Sequence, residues 1–303
     1  MAIASMDAHR GALFGLCYRM TGSAADAEDL VQETFRKALE HPPADLERDL
    51  RPWLLRVATN LSIDTLRRRQ RERYFGPWLP EPIDTERVVA SLEPGPEARY
   101  DLVESATSAF LVALEALDPK QRAVVILRDV LGLTGPETAE ALETSAGNVR
   151  VILHRARKAL ADYDATRQPI TAELRDQTAR RLREMLARMA VGDLAGVAKI
   201  LAEDVTSVHD AGGEFLSALR VHRGVEDVLG LYRNILPEHA WPTRIEEREL
   251  NGLPAILISH GPSDDPRVAR HFVIWVELAR DGRIVGLRSV LASAKLGAVD
   301  FNG

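Results

Sequence analysis

Residues 117–160 read LDPKQRAVVILRDVLGLTGPETAEALETSAGNVRVILHRARKAL. Three helix starts follow one another in this stretch: Asp118-Pro119 with Gln121, Thr134 with Glu137, and Ser145 with Asn148. Each sets an oxygen-bearing side chain ahead of a helix, where it can take backbone N–H groups that lack a partner in the first turn. A short helix, a tight turn and a longer helix with a basic outer face is the pattern of a helix-turn-helix. In the last helix Val149, Leu153, Ala156 and Leu160 form the inward stripe. Asn148, Arg150, Val151, His154, Arg155 and Lys158 then lie on the outer face.

Upstream, residues 12–73 read as helices. Within 27–38 the apolar positions 27, 30, 31, 35 and 38, with Thr34, make one amphipathic stripe, and Ser23 with Asp26 supplies the cap. The side chains turned away from that stripe are Asp26, Glu28, Asp29, Gln32 and Glu33. Alone, such a charge run is an ordinary solvated face. His41, Pro42 and Pro43 break the helix, and a second one is expected over 52–71, anchored by Trp53 and Leu54 and carrying Asn60, Asp64 and an arginine cluster. Residues 77–96 hold five of the sixteen prolines and read as a linker rather than a regular element. After residue 169 the texture changes. A long helix and a shorter one are expected over 173–204, then β-rich runs at 205–209, 244–250, 255–260, 268–278 and 283–291, with a helix at 225–236. Helices followed by an antiparallel sheet make an α+β domain.

At 303 residues, 46% hydrophobic, the chain is long enough for two or three globular domains. The single Cys17 excludes a disulfide framework and a cysteine-based zinc site. No apolar run approaches the roughly 18 residues of a membrane span, and the first ten residues lack a signal-peptide pattern, so a cytoplasmic protein with no membrane partner is expected. The net charge of −6 hides a sorting into blocks. Residues 67–73 carry five Arg and one Glu, and 150–158 four cations and no acid, whereas 26–33 carry four acids and no base. Short basic blocks can hold phosphate on an acidic protein.

With both motif sets in this order, residues 12–73 resemble region 2, and residues 108–160 region 4, of an extracytoplasmic-function (ECF) sigma factor, the promoter-recognition subunit of bacterial RNA polymerase. The resemblance implies that Asp26, Glu28, Asp29, Gln32 and Glu33 dock on the clamp helices of the largest polymerase subunit, with region 4 on the flap of the second. An acidic, amide-bearing face suits basic helices. The loop over 41–50 would capture a flipped base of the −10 element, and Asn60, Arg67, Arg68 and Arg71 would follow the separated strand. On the recognition helix, Arg150, Val151 and Arg155, with His154 nearby, would read −35 bases; a bidentate arginine–guanine pair discriminates by about 1–3 kcal/mol. Arg157 and Lys158 would hold phosphate. Ile152 stands where many relatives carry a basic residue.

GPWLPEP at 76–82 resembles the linker of an ECF subgroup with a fused C-terminal SnoaL-like domain. The motif residues Trp78, Leu79, Pro80, Glu81 and Pro82 are expected to dock on that domain. Asp210, Gly212, Gly213 and Lys295 fall in its two other motifs. Both motifs depart from the family pattern: an Asp-Gly-Gly-Gly-basic turn is here Asp210-Ala211-Gly212-Gly213-Glu214, and an Asn-Pro-Asp-Lys-Leu tail is here Ala292-Ser293-Ala294-Lys295-Leu296. The expected architecture is multidomain. Two all-α domains, the region 2 helical bundle (1–76) and the region 4 helix-turn-helix (108–165), are joined by a linker (77–107). An α+β SnoaL-like, ketosteroid-isomerase-like cone (172–303) follows.

The implied function is a sigma factor that binds core RNA polymerase, directs initiation at −10/−35 promoters and is regulated in cis by the cone. It would have no cofactor, no metal and no separate anti-sigma partner. Cones of this kind also host isomerases, which use a buried carboxylate base and an oxyanion donor. His209, Asp210, His222, Tyr232, His260 and His271 are the candidates; His209-Asp210 is expected at a turn beside two glycines, no pair stands at a helix spacing that suggests metal ligands, and His271 alternates with strand apolars as a structural histidine. The protein is not expected to be an enzyme. The alternative from another class is a ligand-responsive helix-turn-helix regulator with a small-molecule-binding or isomerase-like cone.

Overall fold

The computed structural model describes residues 6–42, 50–71, 74–89, 98–235 and 242–301. Two compact units emerge: Met1–Arg73 with Ile83–Arg167, and Tyr74–Pro82 with Gln168–Gly303. The expected −10 loop at 41–50 lies almost wholly outside the described residues.

In the N-terminal unit, α1 (Arg10–Thr21) is buried from Ala12 onward and stops at Gly22, whose φ of 65° lets its N–H reach the Tyr18 carbonyl at 2.7 Å. Helix α2 (Ala24–Glu40) starts on Ser23, which accepts the Asp26 N–H, and buries the expected stripe Ala27, Leu30, Val31, Thr34 and Ala38. Helix α3 (Arg51–Arg69) completes the three-helix bundle. Residues 77–96 are not irregular throughout: Thr85–Val89 forms a short helix, α4. Its prolines flank this turn rather than occupy it, and the burial of Ile83 and Thr85 supplies what local propensity does not.

The same unit continues with α5 (Ser108–Ala113), α6 (Pro119–Val125), α7 (Gly135–Ala141), α8 (Ala146–Ala159) and α9 (Ala161–Thr166). Asp118 and Thr134 each form a full capping box, and Ser145 caps α8, as the three start signals require. Two buried arginines tie the parts together. Arg19 of α1 donates to the Ser105 hydroxyl (2.8 Å) and to the Leu102 carbonyl (2.7 Å). Arg122 of α6 donates to the carbonyls of Met20 (2.8 Å) and Leu114 (2.9 Å). Burial pushes Arg19 down to about 9, so it still carries its charge at neutral pH.

Among the described residues, the C-terminal unit contains α10 (Ala172–Ala190), α11 (Leu194–Ile200), α12 (Val225–Ile235) and six strands: β1 (Leu201–Asp210), β2 (His222–Arg223), β3 (Arg244–Leu250), β4 (Leu253–Ser259), β5 (His271–Leu278) and β6 (Ile284–Val290). Their order is β2-β1-β6-β5-β4-β3. The sheet is not wholly antiparallel, because β1 runs parallel to β6; side-chain periodicity carries no information on strand direction. Asn251 and Gly252, both at positive φ, close the two-residue β3–β4 hairpin.

Alternation along the strands serves two cores. Ile256 and Ile258 of β4, with Val276 of β5, meet Leu182, Met185 and Val197 of the helices. Ala255 and Leu257, with Val273, Trp275 and Val290, face the other way and pack with Leu296 and with Leu79 of the linker. A residue from GPWLPEP is therefore part of the second core of this unit.

Candidate functional site

The expected contact residues fall into three groups. On the acidic face of α2, Asp29 and Gln32 are exposed, while Asp26, Glu28 and Glu33 are half-buried by basic neighbours. Asp26 Oδ2 accepts from Arg69 Nη2 at 2.9 Å. Glu28 Oε1 accepts from Arg87 Nη2 of α4 at 2.9 Å, and the Arg87 guanidinium also lies 4.9 Å from the Phe14 ring centroid. Glu33 is bonded by Arg36 at 2.6 and 2.7 Å, which holds its carboxyl below the usual range. Arg69 belongs to the basic run, yet it turns back onto α2 and also caps the Thr21 carbonyl at 2.7 Å. The sequence reading missed both Arg69 and Arg87 as partners of the acidic face.

Along α3, Asn60 is half-buried and Arg67, Arg68 and Arg71 are exposed. On α8, Val149, Leu153, Ala156 and Leu160 are buried, and Asn148, Arg150, Val151, His154, Arg155 and Lys158 are all exposed. Asn148 is partly committed locally, its side-chain amide donating to Thr144 Oγ1 at 2.8 Å. One expectation fails. Arg157 does not stand ready for phosphate; it makes a two-point ion pair with buried Asp129, at 3.0 and 2.5 Å. That pair ties the C-terminal half of α8 to the single π-turn Ile126–Val130, which holds Asp129.

The third group assembles around Asp210, which is fully buried at the end of β1. Its Oδ2 accepts the Leu79 N–H at 2.7 Å and Lys295 Nζ at 2.6 Å. Its Oδ1 accepts the Tyr74 hydroxyl and the Gly212 N–H, the latter at 3.2 Å. Lys295 Nζ also donates to the Leu79 carbonyl at 2.6 Å. One buried ion pair thus holds both backbone groups of one linker residue, as a neighbouring strand would. The ammonium sits 4.5 Å from the Tyr74 ring centroid and 4.6 Å from that of Trp78, a cation held between two π faces. Leu79 is 1% exposed, and Pro80, Glu81 and Pro82 are buried beside it.

Both glycines of the turn are needed there. Gly212 and Gly213 have φ of 58° and 81°, and a Cβ on Gly213 would lie 2.9 Å from Phe75 Cδ1. The two departures from the family pattern meet: Glu214, the reversed charge, accepts the Ser293 N–H of the altered tail at 3.0 Å. Tyr74 and Phe75 were missed by the sequence reading. Two aromatic residues placed between an arginine run and GPWLPEP were the available signal.

On the opposite face of β1, His209 points to the helix side. Its Nε2 lies 2.8 Å from Ser207 Oγ and its Nδ1 2.6 Å from Ser289 Oγ, with the Tyr232 hydroxyl 3.4 Å from Ser207. Burial pulls His209 down to about 4, so at neutral pH it is an uncharged imidazole bonded by hydroxyls at both nitrogens. Asp210, the neighbouring carboxylate, faces the linker instead. His271 is bonded to Ser259 at 2.9 Å and lies against Phe301, the structural role expected of it. Among the described residues no group of three His, Cys, Asp or Glu could hold a metal ion, and no helix is long and apolar enough to cross a membrane.

Known proteins match this arrangement. The family model for sigma-70 region 2 matches residues 6–72, and that for sigma-70 region 4 matches residues 107–160. The chain is 36% identical over 244 residues to the ECF RNA polymerase sigma factor SigJ of Mycobacterium tuberculosis, covering 78% of this chain and 75% of that protein. It is 40% identical over 170 residues to the ECF sigma factor SigE of Mycolicibacterium smegmatis, covering 54% of this chain and 62% of that one. The crystal structure of Mycobacterium tuberculosis SigJ is similar over 98% of both chains, with a TM-score of 0.73 and 29% sequence identity.

Proposed function

The chain belongs to the ECF RNA polymerase sigma factors, and from that premise we propose how its parts divide the work. It binds core polymerase and promoter DNA, directs initiation, and does so in the cytoplasm. Asp29 and Gln32, exposed on α2, make first contact with the clamp helices, joined by Asp26, Glu28 and Glu33 once their arginines are displaced. Region 4 docks on the flap. Asn60, Arg67, Arg68 and Arg71 follow the −10 strand, and Arg150, Val151 and Arg155 read the −35 groove, flanked by Asn148, His154 and Lys158.

The domains are region 2 over 1–76, a linker over 77–107, region 4 over 108–165 and the SnoaL-like domain over 172–303. The last domain performs no catalysis and regulates in cis. The observation that carries this reading is the grip of Asp210 and Lys295 on the backbone of Leu79. The gripped segment lies between the two promoter-reading regions in the chain. Six residues beyond Leu79, α4 begins at Thr85 and places Arg87 on Glu28, a residue of the polymerase face. A held linker keeps Arg87 there and restrains polymerase binding; a released linker frees it. Such a cis element takes the place of a separate anti-sigma partner.

The test is run-off transcription with purified core polymerase on the promoter upstream of the protein's own gene. Full-length protein is expected to give transcript with no second protein added. Asp29→Lys is expected to abolish it, and Arg150→Ala to reduce it in a way that depends on the −35 sequence. Full transcript from Asp29→Lys would contradict the docking face.

A further inference from the structure

In the N-terminal unit a cleft of about 330 Å³ opens between α3 and the helix-turn-helix. Arg67 of α3, Lys120 of α6 and Arg155 of α8 all line it, three cations from three helices around one small volume. The acid at its rim, Asp118, is committed to capping: its Oδ1 accepts the Gln121 N–H at 2.9 Å. Gln121 Oε1 in turn accepts the Asp118 N–H at 3.0 Å, which leaves the amide nitrogen of that side chain as a donor. Arg67 has an exposed partner in Asp64 at 3.2 Å, an interaction of little weight in water. Like charges crowded round a cleft repel one another, and an anion placed among them removes that repulsion. Ile152 adds an apolar wall.

We propose that this cleft binds a small phosphorylated anion, with Arg67, Lys120 and Arg155 on the phosphates. Its volume lies at the low end of ligand-sized pockets, enough for pyrophosphate or the diphosphate end of a nucleotide. Ile152 would then lie against the sugar or base. One consequence rests on the promoter reading given above. Arg67 and Arg155 are assigned to the −10 and −35 elements, about 25 base pairs apart, or roughly 85 Å at 3.4 Å per pair. Side chains that line one cleft cannot occupy both elements, so the cleft exists only away from the promoter, and its ligand opposes promoter binding by mass action.

Calorimetric titration of the full-length protein with pyrophosphate, with GDP and with sulfate tests the site without DNA present. Lys120 is exposed and carries no part in promoter reading, so Lys120→Glu is the variant of choice. The expected result is saturable one-to-one binding of pyrophosphate or GDP, at least tenfold tighter than sulfate and at least tenfold weaker in Lys120→Glu. Tighter GDP than pyrophosphate assigns the ligand as a nucleotide, and the reverse as a free phosphate. No saturable binding, sulfate binding as tightly, or an unchanged Lys120→Glu would overturn the site. The promoter consequence is read separately, as competition between GDP or pyrophosphate and labelled promoter for the wild type. Binding without competition would overturn the promoter assignments of Arg67 and Arg155 while leaving the anion site intact.

Discussion

The two halves of the connecting segment are held in opposite ways. Tyr74–Pro82 is gripped through the backbone of a buried residue by an ion pair that is 10% exposed on the lysine and 0% on the aspartate. Ile83 and α4 are held by the burial of Ile83 and Thr85, by Arg87 over the Phe14 ring and by Arg87–Glu28, a pair 39% exposed on both sides. Breaking a buried pair by removing one partner strands the other charge, at about 3–5 kcal/mol, whereas an exposed pair contributes about 0.2–1 kcal/mol. The first grip therefore behaves as a lock built into the C-terminal unit. The second behaves as a cover that a stronger basic partner can replace.

Four changes break or sharpen that contrast. Asp210→Ala strands Lys295 against two aromatic rings and removes the acceptor of the Leu79 N–H. A loss of about 3–5 kcal/mol in the C-terminal unit is expected in denaturant melts, with rapid protease cleavage inside residues 74–82. Acid acts on the same unit through His209. An unfolded histidine takes its proton near pH 6.5, but His209 holds out to about 4. Its contribution is complete above pH 6.5 and is lost as pH falls toward 4, by up to about 3 kcal/mol. His209→Gln is expected to flatten that window in melts at pH 7 and pH 5. Gly213→Ala forces a Cβ toward Phe75 at positive φ, and a loss of about 1–3 kcal/mol with a loosened linker is expected. The smallest effect on stability belongs to Arg87→Ala, below about 1 kcal/mol. There the readout is affinity for core polymerase, expected to rise several-fold while protease resistance of residues 74–82 stays unchanged.

Much of this molecule was legible from its residues. The caps at Asp118, Thr134 and Ser145 form where their spacing puts them, because capping is a local matter decided within four residues. The stripes of α2 and α8 turned inward for the same reason. The parallel pairing of β1 with β6 and the helix at Thr85–Val89 were not legible, since both depend on partners distant in sequence. The near-continuous apolar runs of β4 and β5 did carry a signal that both faces of the sheet are covered, but not that Leu79 covers one of them. The basic run showed the same limit. Arg69 stands outside the strand-following set, but its partner was not visible in the run: it folds back on Asp26 while Arg67, Arg68 and Arg71 stay exposed. Arg157 read as a phosphate contact because its partner, Asp129, lies 28 residues away in the chain.

The account turns on whether the lock restrains the sigma factor. Lys295→Ala removes the buried ammonium side of the grip and leaves every assigned polymerase and promoter contact in place. In run-off transcription with core polymerase, at equal concentrations of folded protein, the variant is predicted to give several-fold more transcript than the wild type. Equal or lower transcript from Lys295→Ala, with residues 74–82 shown to be cleavable, would contradict the claim that holding the linker restrains initiation.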